Sequence, residues 1–243
     1  MSETLFVSDI HLDMKRPALV DLFNQFLYKR AVHADALYIL GDLFEYWIGD
    51  DAVGVEYQPT LDALRKVTQS TTAVYFLHGN RDFLIAEKFA RQTGVTLLTE
   101  EHVVRIYDQD VLLMHGDTLC MDDIAYQRFR KKTHSKLLQW IVLHLPISTR
   151  ESLALKLRDT SVQATSEKQA DIMDVNQAAV EAALLRNQSK LLIHGHTHRP
   201  GIHDFTIHSQ PCKRIVLGDW YTQGNVLSLT PDHGIQLANF SAL

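Results

Sequence analysis

Five short apolar runs constrain this chain more than any other feature, because each runs straight into residues that a buried strand does not otherwise carry. Thr4-Leu5-Phe6-Val7 leads into Ser8-Asp9-Ile10-His11, Leu37-Tyr38-Ile39-Leu40 into Gly41-Asp42-Leu43-Phe44-Glu45, and Val74-Tyr75-Phe76-Leu77 into His78-Gly79-Asn80-Arg81-Asp82. Val111-Leu112-Leu113-Met114 leads into His115-Gly116-Asp117, and Leu191-Leu192-Ile193 into His194-Gly195-His196-Thr197-His198. Apolar runs of this length, rich in β-branched and aromatic residues, read as buried strands. Helical patterns separate the first three: Pro17 to about Arg30 carries Leu19, Leu22, Phe23, Phe26 and Leu27 at helical spacing, and Leu61 to Val67 lies in the second connection. Strands alternating with helices predict an α/β fold in which functional groups gather at the carboxyl ends of the strands. The five turns are therefore expected to meet in space.

The residues at those turns are oxygen and imidazole donors. Three histidines within 194–198 could by themselves form a solvated loop, but the recurrence of Asp, Asn and His at five strand ends supplies partners for them. Two divalent ions a few ångströms apart need about three or four protein ligands each and a bridging oxygen, and a carboxylate is the natural bridge. Glycines beside Asp42, Asn80, His115 and His196 allow tight turns and close approach.

With 243 residues, of which 46% are hydrophobic and 22% charged, the chain can bury a full core, as a single domain or a domain with an insertion. A net charge of -5 argues against general nucleic-acid binding. Cys120 and Cys212 lie far apart and form no C-x-x-C pair, so neither a disulfide framework nor a thiolate metal site is suggested, and a reducing compartment is expected. The chain enters a strand without a basic stretch followed by a long apolar run, so export is not expected. No apolar stretch reaches the roughly 18 residues needed to span a bilayer, and any membrane contact is expected to be peripheral.

In this order the motifs D-x-H, G-D-x-x-E, G-N-R-D, H-G-D and G-H-T-H resemble those of the calcineurin-like metallophosphoesterase superfamily. The resemblance implies a four-layer α/β/β/α sandwich with a dinuclear metal centre between the strand ends. It implies one metal held by Asp9, His11 and His198, a second held by Asn80, His115 and His196, and Asp42 bridging both. Many members carry His after the motif Asn, where it can protonate the leaving oxygen, whereas this chain carries Arg81. A guanidinium is a poor proton donor but a strong bidentate clamp for phosphoryl oxygens. It suits a leaving group that is itself a phosphate, so diphosphate cleavage fits better than hydrolysis of an alkyl ester.

Longer stretches, Leu37 to Asp51, His78 to Leu84, His115 to Cys120, Ile172 to Asn176 and His194 to Pro200, are similar to the branch of the superfamily that serves lipid A biosynthesis in Gram-negative bacteria. This similarity runs over nearly the whole chain. It implies attack of water at the α-phosphorus of a lipid-linked nucleotide sugar, UDP-diacylglucosamine, releasing UMP and the diacylglucosamine 1-phosphate. It also implies two Mn2+ per chain, Arg81, Asp42 and Asn80 as catalytic residues, and substrate contacts from Asn80, Arg81, Asp123, Ser161, Thr165, Lys168 and His196. Thr165 stands where the pattern has Asn. The implied location is the cytoplasmic face of the inner membrane, held peripherally, with no obligate protein partner. Imidazole, carboxylate and amide donors without thiolate are compatible with Mn2+, and equally with Fe2+ or Zn2+. The residues themselves also leave open a soluble nucleotide pyrophosphatase or phosphodiesterase with the same core, and a non-catalytic scaffold, though no ligand is missing.

Between His115 and His196 the gap is about twice the spacing of the earlier motifs, so residues 122–187 are expected to form a helical cap inserted into a single domain spanning 1–243. From Ile124 to Arg158 this segment carries eight Lys or Arg (Arg128, Arg130, Lys131, Lys132, Lys136, Arg150, Lys156 and Arg158) against the single acid Glu151, a net charge of +7. Leu138, Trp140, Ile141, Val142, Leu145 and Ile147 make it apolar as well, a combination suited to an anionic amphiphile or an anionic membrane surface. The plainer alternative is a cap whose apolar residues pack on the core and whose charges are solvated. Lys213 to Leu217, Val226 to Leu229 and Gly234 to Phe240 read as strands expected to complete the second sheet. His33, His102, His134, His144, His203, His208 and His233 are assigned mostly to the surface. His78 and His194, each preceding a motif Gly, either orient a ligand or pack.

Overall fold

Thr4–Val7, strand β1, is buried along its whole length because side chains alternate across a strand and both faces of this one are covered. In the computed structural model, which describes residues 2–167 and 174–241 (of 159–167 the backbone alone), Leu5 and Val7 join one apolar layer while Phe6 joins another. Ala36–Ile39 (β2) and Ala73–Phe76 (β3) repeat the division: Leu37, Ile39, Val74 and Phe76 lie in the first layer, and Tyr38, Leu40 and Leu77 in the second. Thr96–Leu97 (β4) extends these parallel strands.

The five runs do not share one sheet. His102–Ile106 (β5), Gln109–Leu113 (β6), Leu191–His194 (β7), Gly201–Ile207 (β8) and Gln210–Val216 (β9) form a second sheet in the order β5-β6-β7-β9-β8, in which β6, β7 and β9 are parallel. Gly224–Thr230 (β10) and Gly234–Phe240 (β11), expected in that sheet, belong instead to the first, whose order is β11-β10-β1-β2-β3-β4. The open edge of β1 explains the difference. β10 pairs antiparallel with β1, Leu5 opposite Ser228, and so covers an edge that the parallel strands leave bare. Of the three late strands, β9 alone joins the second sheet as expected.

Helices complete the sandwich. Pro17–Lys29 (α1), Gln58–Thr68 (α2) and Glu87–Thr93 (α3) pack on the outer face of the first sheet, with Phe23, Phe26, Leu27, Leu61, Leu64 and Phe89 in its apolar layer. Pro17 starts α1 where its missing N–H costs nothing. Between the sheets, Phe6 stacks on Tyr38 at 5.1 Å and Tyr38 on Tyr75 at 4.7 Å, facing Val111, Leu113, Leu191 and Ile193. On the far side, Gln177–Arg186, here α7 of the chain, buries Val180, Ala183 and Leu184 against Leu112, Met114 and Leu192. The four layers are therefore α/β/β/α, as expected. The end of the 122–187 insertion is corrected: α7 is an outer layer of the sandwich, because its small apolar face is buried on the second sheet.

The preceding helices are different. Ile124–Thr133 (α4) and Lys136–Leu143 (α5) bury no residue, and Ile147–Glu167 (α6) follows them. Leu137 is 69% exposed and Trp140 59% exposed. Arg150 of α6 pins this layer to the core: its guanidinium donates to Asp51 at 2.8 and 2.5 Å and to the Ile48 carbonyl at 2.7 Å. Among the described residues, no helix is long and apolar enough to cross a membrane.

His33, His144, His203, His208 and His233 are exposed, as expected, while His102 and His134 are half-buried. The His134 ring lies 5.0 Å from that of Phe83, where burial and the positive charge of Arg130 hold its pKa down to about 4. His78 packs against the carbonyl of Ile85 at 2.7 Å, away from the strand-end cluster.

Two expectations follow for stability. Ile193→Ala, in the layer between the sheets, should cost about 2–5 kcal/mol in urea unfolding, whereas Leu137→Ser should stay within about 0.5 kcal/mol. His134 binds its proton less well folded than unfolded, so its contribution to stability is lost as pH falls from about 6.5 towards 4. The urea midpoint of His134→Leu should therefore fall less than that of the wild type between pH 7 and pH 4.5.

Candidate metal centre

The loops that leave β1, β2, β3, β6 and β7 are laced together by backbone hydrogen bonds before any side chain is considered. Asp9 N donates to the Gly41 carbonyl at 3.1 Å, His11 N to Asp42 at 2.9 Å, and Gly195 N to His115 at 2.8 Å. Asp9, His11, Asp42, His196 and His198 all have φ between 52° and 69°, the left-handed region in which L-residues are strained. Two glycines make room for them: a Cβ at Gly79 would fall on Oδ1 of Asp42, and a Cβ at Gly195 on Oδ2 of Asp9.

Two groups of donors result, one formed by Asp9, His11 and His198, the other by Asp9, Asp42 and His115. In the first, Nε2 of His11 and Nε2 of His198 face each other at 3.4 Å, and Oδ1 of Asp9 lies 3.3 Å from His198 Nε2. The far nitrogens face carboxylates, His11 Nδ1 at 3.2 Å from Glu45 Oε2 and His198 Nδ1 at 3.5 Å from Asp219 Oδ2. A carboxylate beside each Nδ1 favours the proton there and frees the Nε2 atoms as donors to an ion, although the geometry at His11 Nδ1 falls short of a hydrogen bond. Oδ2 of Asp9 accepts from Ser8 Oγ at 2.6 Å and from His196 N at 2.9 Å, while its Oδ1 is buried without a hydrogen-bond donor. An orphaned carboxylate oxygen beside two inward lone pairs is what a cation requires.

The second group repeats the pattern. His115 donates from Nδ1 to the Leu40 carbonyl at 2.9 Å, which leaves Nε2 to face Oδ1 of Asn80 at 3.0 Å. Oδ2 of Asp42 lies 3.8 Å from Nε2 of His115 and 3.8 Å from Nε2 of His11, midway between the groups, and its Oδ1 accepts from Arg81 N at 2.8 Å. The His196 ring stands 5.0 Å from that of His115.

The electrostatics agree with the donor count. Burial raises the pKa of Asp9, but the adjacent His198, with His115 and His11, holds it well below the usual carboxylate range. Burial would lower the pKa of His115, yet Asp42, Asp9 and Asp117 push it up to about 9. The cluster thus draws positive charge, and a divalent ion meets that demand while displacing the histidine proton. His196 is held well below its ordinary value by burial and by His115, so its imidazole is neutral.

All seven residues expected as metal ligands, Asp9, His11, Asp42, Asn80, His115, His196 and His198, lie at this junction. Asp123, expected as a substrate contact, caps α4 by accepting from Tyr126 N at 3.0 Å. The side chains of Ser161 and Thr165, and Lys168 entirely, lie outside the described residues. His194 turns away from the cluster: its Nδ1–H donates to the Gly195 carbonyl at 2.8 Å and its Nε2 accepts from Arg214 at 3.3 Å.

Several residues emerge from space alone. Asp82 is fully buried and accepts from Leu43 N at 2.7 Å and Gly79 N at 2.9 Å, tying two ligand loops together. Burial and the nearby Asp42 push its pKa up to about 7. Tyr221 stacks on His11 at 5.6 Å, and Tyr126 donates to Asp117 at 2.9 Å while its ring lies 5.7 Å from His196. Asp82 and Asp117 sit within motifs, and their position there is the only signal the sequence offers; Tyr126, Asp219 and Tyr221 offer none.

Residues 3–200 match the calcineurin-like phosphoesterases. The chain is 48% identical over 237 residues to the UDP-2,3-diacylglucosamine hydrolases of Escherichia coli O7:K1 and Escherichia fergusonii, covering 98% of this chain and 98% of each relative. The enzyme of the same name from Shigella sonnei matches with the same identity and coverage.

Asp42→Ala should bind metal at least about 10-fold more weakly than the wild type, and Gly79→Ala should do likewise by displacing the Asp42 carboxylate. Equilibrium dialysis followed by metal analysis measures both, and wild-type stoichiometry in the Asp42 variant would refute the centre.

Proposed function

We propose, from the premise that the chain belongs to the calcineurin-like phosphoesterase family, that it hydrolyses the diphosphate bond of UDP-2,3-diacylglucosamine, giving UMP and 2,3-diacylglucosamine 1-phosphate in lipid A biosynthesis. The observation that carries this reading is the position of Asp42 Oδ2, 3.8 Å from a histidine of each donor group, with Arg81 joined to the same carboxylate through its backbone.

Asp9, His11 and His198 would hold one ion and Asn80, His115 and His196 the other, with Asp42 between them. We take the ions to be Mn2+, which suits carboxylate, imidazole and amide donors. Bound there, such ions supply Lewis-acid polarisation of phosphoryl oxygens and lower the pKa of water. Asp42 fixes the Arg81 backbone, and from there the guanidinium would clamp two phosphoryl oxygens and offset charge on the departing phosphate. Water adds to the α-phosphorus as the bond from that phosphorus to the bridging oxygen breaks; the water oxygen stays in UMP, its proton passes to solvent, and the sugar phosphate leaves as an anion that needs little protonation. Asn80, Arg81, Asp123 and His196 then contact substrate around this point, with Ser161, Thr165 and Lys168 completing the set.

The exposed apolar residues of α4 and α5, with Arg128, Lys131, Lys132 and Lys136 among them, suit acyl chains and the anionic cytoplasmic face of the inner membrane, to which the chain would bind peripherally.

Hydrolysis of UDP-2,3-diacylglucosamine, its deacylated analogue and a chromogenic phosphodiester should be compared with Mn2+ and with a chelator. The acylated substrate should be preferred, activity should vanish with chelator, and label from 18O-water should appear in UMP. Faster turnover of the phosphodiester than of the acylated substrate would instead favour a soluble phosphodiesterase. Arg81→Ala should lower kcat by about 100-fold or more.

A further inference from the structure

We infer that Arg158, on the cap helix α6, is a positioning residue that acts through Glu45 on the imidazole of His11. The inference rests on the reading that His11 holds a metal ion. Nε of Arg158 lies 2.8 Å from Oε1 of Glu45 in an ion pair, and the other oxygen of the same carboxylate, Oε2, faces Nδ1 of His11 at 3.2 Å. One carboxylate is thus shared between a cap cation and a candidate ligand. A second contact steadies the arginine: its Nη2 lies 3.3 Å from Oδ2 of Asp13, whose Oδ1 accepts from Lys15 N at 2.9 Å. Arg158 therefore bridges the loop that follows His11 and the loop that follows Asp42.

Burial makes the bridge consequential. Glu45 is 7% exposed and His11 3% exposed, so neither group can exchange its partner for water at little cost. Tyr221 stacks on the His11 ring at an interplanar angle of 12°, which fixes the ring plane but not its rotation within that plane. Glu45 supplies the remaining restraint through charge: its Oε2 lies 3.2 Å from Nδ1, short of hydrogen-bond geometry, and favours the orientation in which Nε2 faces Asp9 and His198. Without Arg158, Glu45 loses its ion-pair partner at Oε1, and the carboxylate is free to turn away from Nδ1. Because α6 belongs to the cap, the placement of the cap and the affinity of the first ion are coupled, and the coupling is reciprocal.

The test is titration of metal-free protein with Co2+, followed by absorbance and calorimetry. Wild type should bind two equivalents. Arg158→Gln should bind one of them about 10-fold more weakly with an altered ligand-field band, the size expected when a partner of a ligating histidine is removed, and Arg158→Lys should recover part of the loss. In a Glu45→Gln background, Arg158→Gln should add no further loss, because the intermediary is already gone. Wild-type Co2+ affinity in Arg158→Gln, with only KM for the nucleotide sugar raised, would overturn the inference and make Arg158 a substrate contact. If Arg158→Gln does not fold, Arg158→Lys carries the same comparison. Wild-type Co2+ binding by His11→Ala would refute instead the reading of His11 as a ligand.

Discussion

The carboxylate of Asp9 is where the two sheets are joined, and the centre depends on how its two oxygens are divided. Oδ2 is committed to Ser8 Oγ and to the backbone of His196, so it ties the end of β1 in one sheet to the loop after β7 in the other. The Asp9 carbonyl also accepts from Trp220 N at 3.2 Å, which brings in the loop before β10. With one oxygen spent on assembly, Oδ1 remains among imidazole lone pairs with no donor of its own. Structure and charge are thus separated within one side chain: half of it closes the sandwich, and half creates the demand for a cation.

That closure is made by strained backbone. Five residues at the junction adopt left-handed φ values, and four of them, Asp9, His11, Asp42 and His198, face a donor from the other sheet. The neighbouring glycines remove the atoms that would occupy the same space, as at Gly79 and Gly195. The other non-glycine residues with positive φ fall mostly in the tight turns of the two hairpins of the second sheet, Tyr107 and Asp108 before β6 and His208 and Ser209 before β9, where such angles belong to the connection itself. Strain outside those turns is therefore concentrated where ligands are needed.

The donors themselves were legible in the sequence because each follows an apolar run, and a run ending in Asp or His has few structural uses. The partition of the runs between two sheets was not legible. Alternation tells which residues share a face but not which edge a late strand will seek, and β10 and β11 went to the bare edge of β1. The span 122–187 reads as one helical insertion, and nothing in its sequence separates α7, whose Val180, Ala183 and Leu184 pack on the second sheet. Nor could spacing show the groups that orient ligands: Asp219 stands beside His198, Glu45 beside His11, and Asp82 between two loops only after folding. Those relations join residues distant in sequence, with no motif linking each to its partner.

The basic character of the insertion changes meaning once its partners are known. A net charge of +7 over 124–158 suggested a surface for anions, but three of its arginines are engaged by acids outside the segment. Arg130 pairs with Asp117 and Glu100, Arg150 with Asp51, and Arg158 with Asp13 and Glu45. Arginine suits this work because its rigid fork bonds a carboxylate at low conformational cost, whereas lysine acts as a hydrated point charge. Arg128, Lys131, Lys132 and Lys136, all exposed, are left to carry the outward field. The segment therefore divides its cations by chemistry: arginines fasten the cap to the loops that build the centre, and chiefly lysines face solvent beside the exposed Leu137 and Trp140. Through Arg158 the cap reaches Glu45, and through Glu45 it reaches His11.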